Sequence, residues 1–249
     1  MVSRVARKGP SAGKRFWGCN NFPTCHGTRE LGPDLFVPLS SDSPRSEPYV
    51  WVTWMAEVMS GDVDCQWRAW FRSHYRLRHE AEREGGDLAA WRATHTRALS
   101  ELTRTLASNG LPAQNEYAFK QRLPWHREGI IAGKMDCLVD DEDTVTVYEC
   151  KTGMRKSRDH LQVMLYMWAL AQEPRFAGKR MRGFLVYEDD QVEVQPYGNF
   201  IDDLTHFSGV LCGGDEAPRV PGYDCRFCPV SDDDCAERQE PPKRGAVVT

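Results

Sequence analysis

Two short stretches carry acids and an amine at spacings that suit chemistry. GKMD ends on Asp136, and YECK places Glu149 and Lys151 13 and 15 residues further on. Both stretches sit in apolar runs that alternate with period two, so each reads as a strand. On a strand, residues i and i+2 project from one face; Glu149 and Lys151 then point together while Cys150 points away. If the two strands are neighbours, Asp136 can meet Glu149. Two carboxylates held together repel unless a cation lies between them, and Mg²⁺ or Mn²⁺ prefers such oxygen ligands. A lysine beside that metal can orient a water nucleophile or stabilise charge on a phosphate, which is the equipment of metal-assisted phosphodiester hydrolysis. An isolated E-x-K is more often a surface ion pair. Here it has company. Gly133 precedes Asp136 at G-x-x-D spacing, Glu116 lies 20 residues before Asp136, and Gln162 and Tyr166 share one face of the next helix. Glu116 reads equally as an outer-sphere acid or a surface charge.

The elements that must position these residues follow from periodicity. From about Val50 to Asn109 apolar residues recur three and four apart, in WVTWMAEVM, CQWRAWFRSHYRLRHEAERE and AAWRATHTRALSELTRTLASNG, which predicts helices. Asn109-Gly110 with Pro112 beyond ends the last of them. The period then changes to two in NEYAFKQRLPW, GIIAGKMDCLVD and TVTVYECK, giving three consecutive strands. A helix from about Arg158 to Gln172, strands at RGFLVYE and QVEVQPY, and a helix over about Gly198 to Leu211 complete the order. The expected fold is α/β.

Nine cysteines are many for a chain with no N-terminal apolar run resembling a signal peptide or membrane span; the expected location is cytoplasmic, where disulfides are disfavoured. Cys137 and Cys150 fall in apolar runs and read as buried, and Cys212 is uninformative. DCRFCPVSDDDC spaces Cys225, Cys228 and Cys235 as C-x2-C-x6-C, a ligand set lacking one member. Cys65, at the head of a basic and aromatic helix, is the candidate fourth. Tetrahedral zinc and an iron–sulfur cluster both suit four thiolates. Either would close a loop of about 160 residues.

GKMD, YECK and QVMLY, in that order, resemble the PD-(D/E)XK nucleases of the RecB-like branch over about residues 50–237. The resemblance implies a restriction-endonuclease-like core, a mixed central sheet flanked by helices. It implies that Asp136, Glu149 and an upstream helical histidine, His95, bind Mg²⁺ or Mn²⁺; His74 and His79 are alternatives. It makes Lys151 catalytic and gives Gln162 and Tyr166 contacts to DNA and support of the site. In a subset of these nucleases, CRISPR-associated exonucleases among them, one cysteine ahead of the core and three behind it hold a [4Fe–4S] cluster. Cys65, Cys225, Cys228 and Cys235 match that order, with zinc at the same thiolates as the alternative. The function implied is a DNA nuclease, most simply an exonuclease on single-stranded ends, with a helicase or other DNA-processing protein as possible partner. DNA repair and CRISPR adaptation both use such domains. The alternative is a catalytically silent nucleic-acid-binding or assembly module, and a zinc-binding regulator is a third reading that leaves E-x-K unexplained.

Residues 1–33 form a separate basic segment, with six Lys or Arg against one acid in residues 1–30. Its FWGCNNFPTC run resembles the second half of the zinc ribbons at the C-terminus of type IA topoisomerases, which makes Cys19 and Cys25 candidate zinc ligands that do not complete a site even with His26. The upstream C-x-x-C of such ribbons is missing, so the expectation is either a start upstream of Met1 or a decayed ribbon. Residues 34–48, dense in Pro and Ser, read as a linker, 49–237 as the nuclease domain and 238–249 as a disordered tail. A formal net charge of −4 excludes a polycation wrapped on nucleic acid, so DNA contacts must be local. Arg68, Arg72, Arg76 and Arg78, interleaved with Trp67, Trp70, Phe71 and Tyr75, are candidates, as are Lys156 and Arg158. The aromatics share one helical stripe and read as core.

Overall fold

TVTVYEC is apolar on both faces, which demands cover on both sides of the strand it forms. In the computed structural model that strand, β7 (Thr144–Cys150), is buried from Val145 to Cys150 and lies inside a mixed sheet. The structure describes residues 2–5, 8, 15–18, 24, 28–30, 43–77 and 88–239. The chain divides into Met1–Ser43 and Pro44–Thr249. In the first unit, β1 (Val2–Val5), β2 (Arg15–Gly18) and β3 (Thr28–Glu30) form an antiparallel sheet in the order β1-β2-β3. Cys19, Cys25 and His26 lie outside the described residues.

The second unit runs β4 (Tyr49–Trp51), α1 (Val52–Met59), α2 (Trp67–His74), α3 (Leu88–Ser108), β5 (Ala113–Leu123), β6 (His126–Asp140), β7, α4 (Ser157–Ala171), β8 (Arg180–Val186), β9 (Gln191–Glu193) and α5 (Phe200–Cys212). The sheet order is β9-β8-β7-β6-β4, with β5 also paired to β6. β7 with β8 and β4 with β6 are parallel; β5 with β6, β6 with β7 and β8 with β9 are antiparallel. The two parallel strands β7 and β8 are joined through α4, as parallel neighbours require a crossover.

Helices cover both faces. α4, whose sequence from Leu161 to Leu170 is buried throughout, packs with α1, α2 and α5 into the larger core. Leu102 and Leu106 of α3 meet Cys137, Val139, Tyr148, Cys150 and Phe184 in a smaller one. Cys137 and Cys150 are buried, and the alternation of β7 turns Cys150 to the α3 side. This is the α/β core with a mixed central sheet flanked by helices that the sequence leads one to expect. The helix expected from Cys65 onward is shorter than its periodicity: Tyr75 is already extended. Ser73 Oγ and His74 Nδ1 both bond the Trp70 carbonyl, at 2.7 and 2.9 Å, and side-chain bonds of this kind compete with the helix. Likewise QVEVQPY is a strand only over Gln191–Glu193. Among the described residues no helix is long and apolar enough to cross a membrane.

Candidate active site

β6 and β7 are adjacent and antiparallel from Cys137↔Tyr148 to Asp140↔Val145. Just beyond the Cys137↔Tyr148 pair the strands part, and Asp136 and Glu149 sit at that opening. Asp136 fills the gap: its Oδ2 accepts the Cys150 backbone N–H at 2.8 Å. The same oxygen meets His95 Nε2, carried in on α3, at 3.1 Å. That hydrogen bond raises the His95 pKa above its ordinary value, with burial opposing.

Glu149 is buried, and its two oxygens differ. Oε1 accepts Gln162 Nε2 at 2.7 Å and Lys151 Nζ at 3.2 Å. Oε2 is buried without any hydrogen-bond partner among the described residues. Burial pushes the Glu149 carboxyl up to about 7, with Lys151 opposing and Asp136 adding to the rise. A buried carboxylate oxygen with no donor is costly, and a cation at that point would satisfy it.

Lys151 is held from three sides. It donates to Glu149 Oε1 and, at 2.7 Å, to Gln162 Oε1, and Asp159 Oδ1 lies 3.7 Å away. Gln162 in turn donates to Tyr166 Oη at 2.9 Å, and Tyr166 donates to the Lys134 carbonyl at 3.0 Å. One face of α4 thus grips both the β7 and β6 ends of the site. Burial holds the Tyr166 phenol well above its ordinary pKa, so it stays a donor. Close approach at this point needs Gly133: a Cβ there would stand 2.8 Å from Tyr166 and 2.9 Å from Phe119.

His95, Asp136, Glu149, Lys151, Gln162 and Tyr166 are therefore brought together. Glu116 is not among them. It sits opposite Asp136 between paired neighbours, with φ 53°, and its carboxylate is exposed and paired to Lys134 Nζ at 2.6 Å. His74 is engaged with Trp70 and Ser73 on α2, and His79 lies outside the described residues. Asp159 was not read from the sequence as a site residue. Its carboxylate accepts the Lys156 backbone N–H at 2.9 Å at the head of α4. The acid in the first turn of a helix was the available signal. Among the described residues no group of three or more His, Cys, Asp or Glu is arranged as a metal-ligand set. That holds for Cys65, Cys225, Cys228 and Cys235 as well as for Asp136, Glu149 and His95, where the acids spend their bonded oxygens on His95, Lys151, Gln162 and the backbone. Even so, oxygen donors, an imidazole and one orphaned carboxylate oxygen fit a hard divalent cation.

The other cysteine group also converges. Cys65, Cys225, Cys228 and Cys235 line one pocket, with Arg68 and Arg219 on its walls. The aromatics of α2 are core, Trp67, Trp70 and Phe71 all being buried. Trp67 Nε1 reaches Glu216 at 3.2 Å, Trp67 N the Pro218 carbonyl at 3.1 Å and Trp70 Nε1 the Gly213 carbonyl at 3.0 Å, which draws the C-terminal segment to Cys65. Arg68 and Arg158 are both committed to Glu57, at 3.2 and 2.9 Å. Arg72 lies over the Trp54 ring at 4.0 Å, and Arg78 is outside the described residues.

No curated protein matches the chain. A solved structure described as "Crystal structure of SSO0001" superposes with a TM-score of 0.45 and 16% identity, covering 75% of this chain and 86% of that one. The sequence pattern of the PD-(D/E)XK nuclease superfamily matches residues 53–232, a span that holds every residue of the site. The chain belongs to the PD-(D/E)XK nuclease superfamily.

Proposed function

We propose that this chain is a Mg²⁺- or Mn²⁺-dependent DNA nuclease of the RecB-like branch, acting as an exonuclease on single-stranded ends. The observation that carries the reading is the unbonded, buried Oε2 of Glu149 beside Asp136, with Lys151 fixed next to it. Asp136, Glu149 and His95 are the residues that would hold the metal. A divalent cation there would lower the pKa of a bound water and offset charge on the scissile phosphate. The chain's own residues do the rest. Gln162 and Glu149 hold the Lys151 ammonium so that it is presented to the nucleophile and the phosphate rather than swinging freely. Tyr166 fixes Gln162 against β6 and keeps the amide oriented. Glu116 acts at a distance, as the partner that tethers Lys134.

The four cysteines lining one pocket support a [4Fe–4S] cluster as the second group, with zinc as the alternative occupant. The thiolate donor set suits such a centre, and Arg68, Arg219 and Arg238 share the pocket wall with Asp224 and Glu237. In this reading residues 49–237 are the nuclease domain and 1–33 a half-ribbon, whose Cys19 and Cys25 would hold zinc and whose basic charge would add DNA contact. DNA repair and CRISPR adaptation are the settings proposed, with a helicase as partner.

The test is cleavage of end-labelled single-stranded DNA by anaerobically purified protein, with and without Mn²⁺, beside Lys151→Ala. Metal-dependent release of short products is expected, reduced on the order of 10²-fold or more in the variant. A protein with intact fold and full metal content that cleaves no DNA would move the assignment to a silent nucleic-acid-binding module.

A further inference from the structure

The inward stripe of α3 continues beyond the sheet it packs on. Leu106 and Leu102 are buried in the smaller core, Leu99 and Ala98 pack at its margin, and one turn earlier His95 reaches Asp136. A further turn back, on the same stripe, stands Trp91. Its indole lies against the His95 ring at 5.4 Å between centroids and 26° between planes. Yet Trp91 remains 52% exposed. One face of the ring is used by His95 and much of the rest is open, one side chain removed from Asp136 through His95. Arg92 and Arg97 are exposed on the same helix.

We propose that Trp91 is a stacking platform for a nucleobase next to the scissile phosphate. The inference rests on the nuclease reading and deepens it. An indole offers its face to any base, so the contact is sequence-tolerant, and a base can lie on it only when it is out of a duplex stack. Stacking there holds the strand while the neighbouring phosphate meets the carboxylates and Lys151. Trp91 is thus a substrate-positioning residue and touches no reacting atom. The bland account is that Trp91 merely braces His95. It predicts a loss that ignores the substrate's bases.

The experiment walks a single abasic residue through a fluorescein-labelled single-stranded oligonucleotide and measures cleavage by wild type, Trp91→Ala and Trp91→Phe at saturating Mn²⁺. In wild type an abasic residue at one position near the cleaved bond should raise KM about tenfold. Trp91→Ala should raise KM by a similar factor on the intact strand and be indifferent to the abasic position; Trp91→Phe should behave as wild type. A fall in kcat with unchanged KM and retained abasic sensitivity in Trp91→Ala would overturn the platform, as would wild-type kinetics. Binding of the same oligonucleotide in EDTA, followed by polarisation, separates the two readings. If wild type cleaves nothing, the nuclease assignment falls, and the platform stands only if Trp91→Ala binds about tenfold more weakly than wild type.

Discussion

The carboxyl of Glu149 is buried between β7 and α4, with one oxygen accepting two hydrogen bonds and the other accepting none among the described residues. Such a group is held in its ionised form at a cost to the fold, and its pKa of about 7 expresses that cost. The sign follows. Below the ordinary carboxylate value Glu149 is protonated in both folded and unfolded chains and nothing is lost. As pH rises toward 7 the unfolded chain ionises freely while the folded chain resists, so the metal-free protein loses stability. His95 acts in the same direction: its raised pKa stabilises the charged pair with Asp136 at low pH, and that contribution fades as pH rises through the folded value. A bound cation reverses both, because it takes carboxylate and neutral imidazole. In EDTA, Glu149→Gln should therefore melt above wild type, by a few degrees at pH 8 and by less at pH 5. Mn²⁺ should raise the wild-type melting temperature more at pH 8 than at pH 6. A pH-independent difference between variant and wild type in scanning calorimetry would remove Glu149 as the strained group.

At the scale of elements, α4 is the part that turns two strand ends into a site. Its Gln162 and Tyr166 reach Glu149, Lys151 and the Lys134 carbonyl, and Tyr166 can lie that close to β6 only because residue 133 has no side chain. Gly133→Ala would press on Tyr166 and Phe119 and, at 3.0 Å, on Val52, all within the core. It should destabilise by about 1–3 kcal/mol, as overpacking does. Cleavage should fall further than the melting temperature alone explains, since Tyr166 fixes Gln162. Unchanged urea midpoint and unchanged rate would show that Tyr166 has room to move. These contacts also explain what was legible. The period-two runs located β5, β6 and β7 within a few residues, and E-x-K with Q-x-x-x-Y located the faces, because both follow from local periodicity. The partner of Glu116 was not legible, since its exposed pairing with Lys134 depends on a positive φ that sequence does not display. Nor was Asp159, which serves the helix start and Lys151 together.

Across the whole second unit, the chain is closed on itself at the cysteine pocket. α2 buries Trp67 and Trp70 and bonds their indole nitrogens to Glu216 and to the Gly213 carbonyl, so Cys65 and the three C-terminal cysteines meet in one pocket. Arg238 donates to the Cys228 carbonyl at 3.0 Å, which extends the closure past the last cysteine. Spacing grouped Cys225, Cys228 and Cys235, and the family resemblance supported Cys65 as the fourth; the indole bonds that bring the ends together depend on tertiary packing and left no trace in the periodicity. On the proposed reading a cluster fastens this closure, and its binding free energy is folding free energy. Cys65→Ala should then leave a protein that lacks iron and sulfide, or zinc, after anaerobic purification. By analogy with a covalent link closing a loop of this order, it should also melt roughly 10 °C lower. Cys212→Ala is the control, because Cys212 is half-buried and outside the pocket that the four cysteines line. If metal analysis found the same content in both variants and wild type, the four-cysteine assignment would be wrong, and the indole bonds of α2 would be what holds the two ends of the domain together.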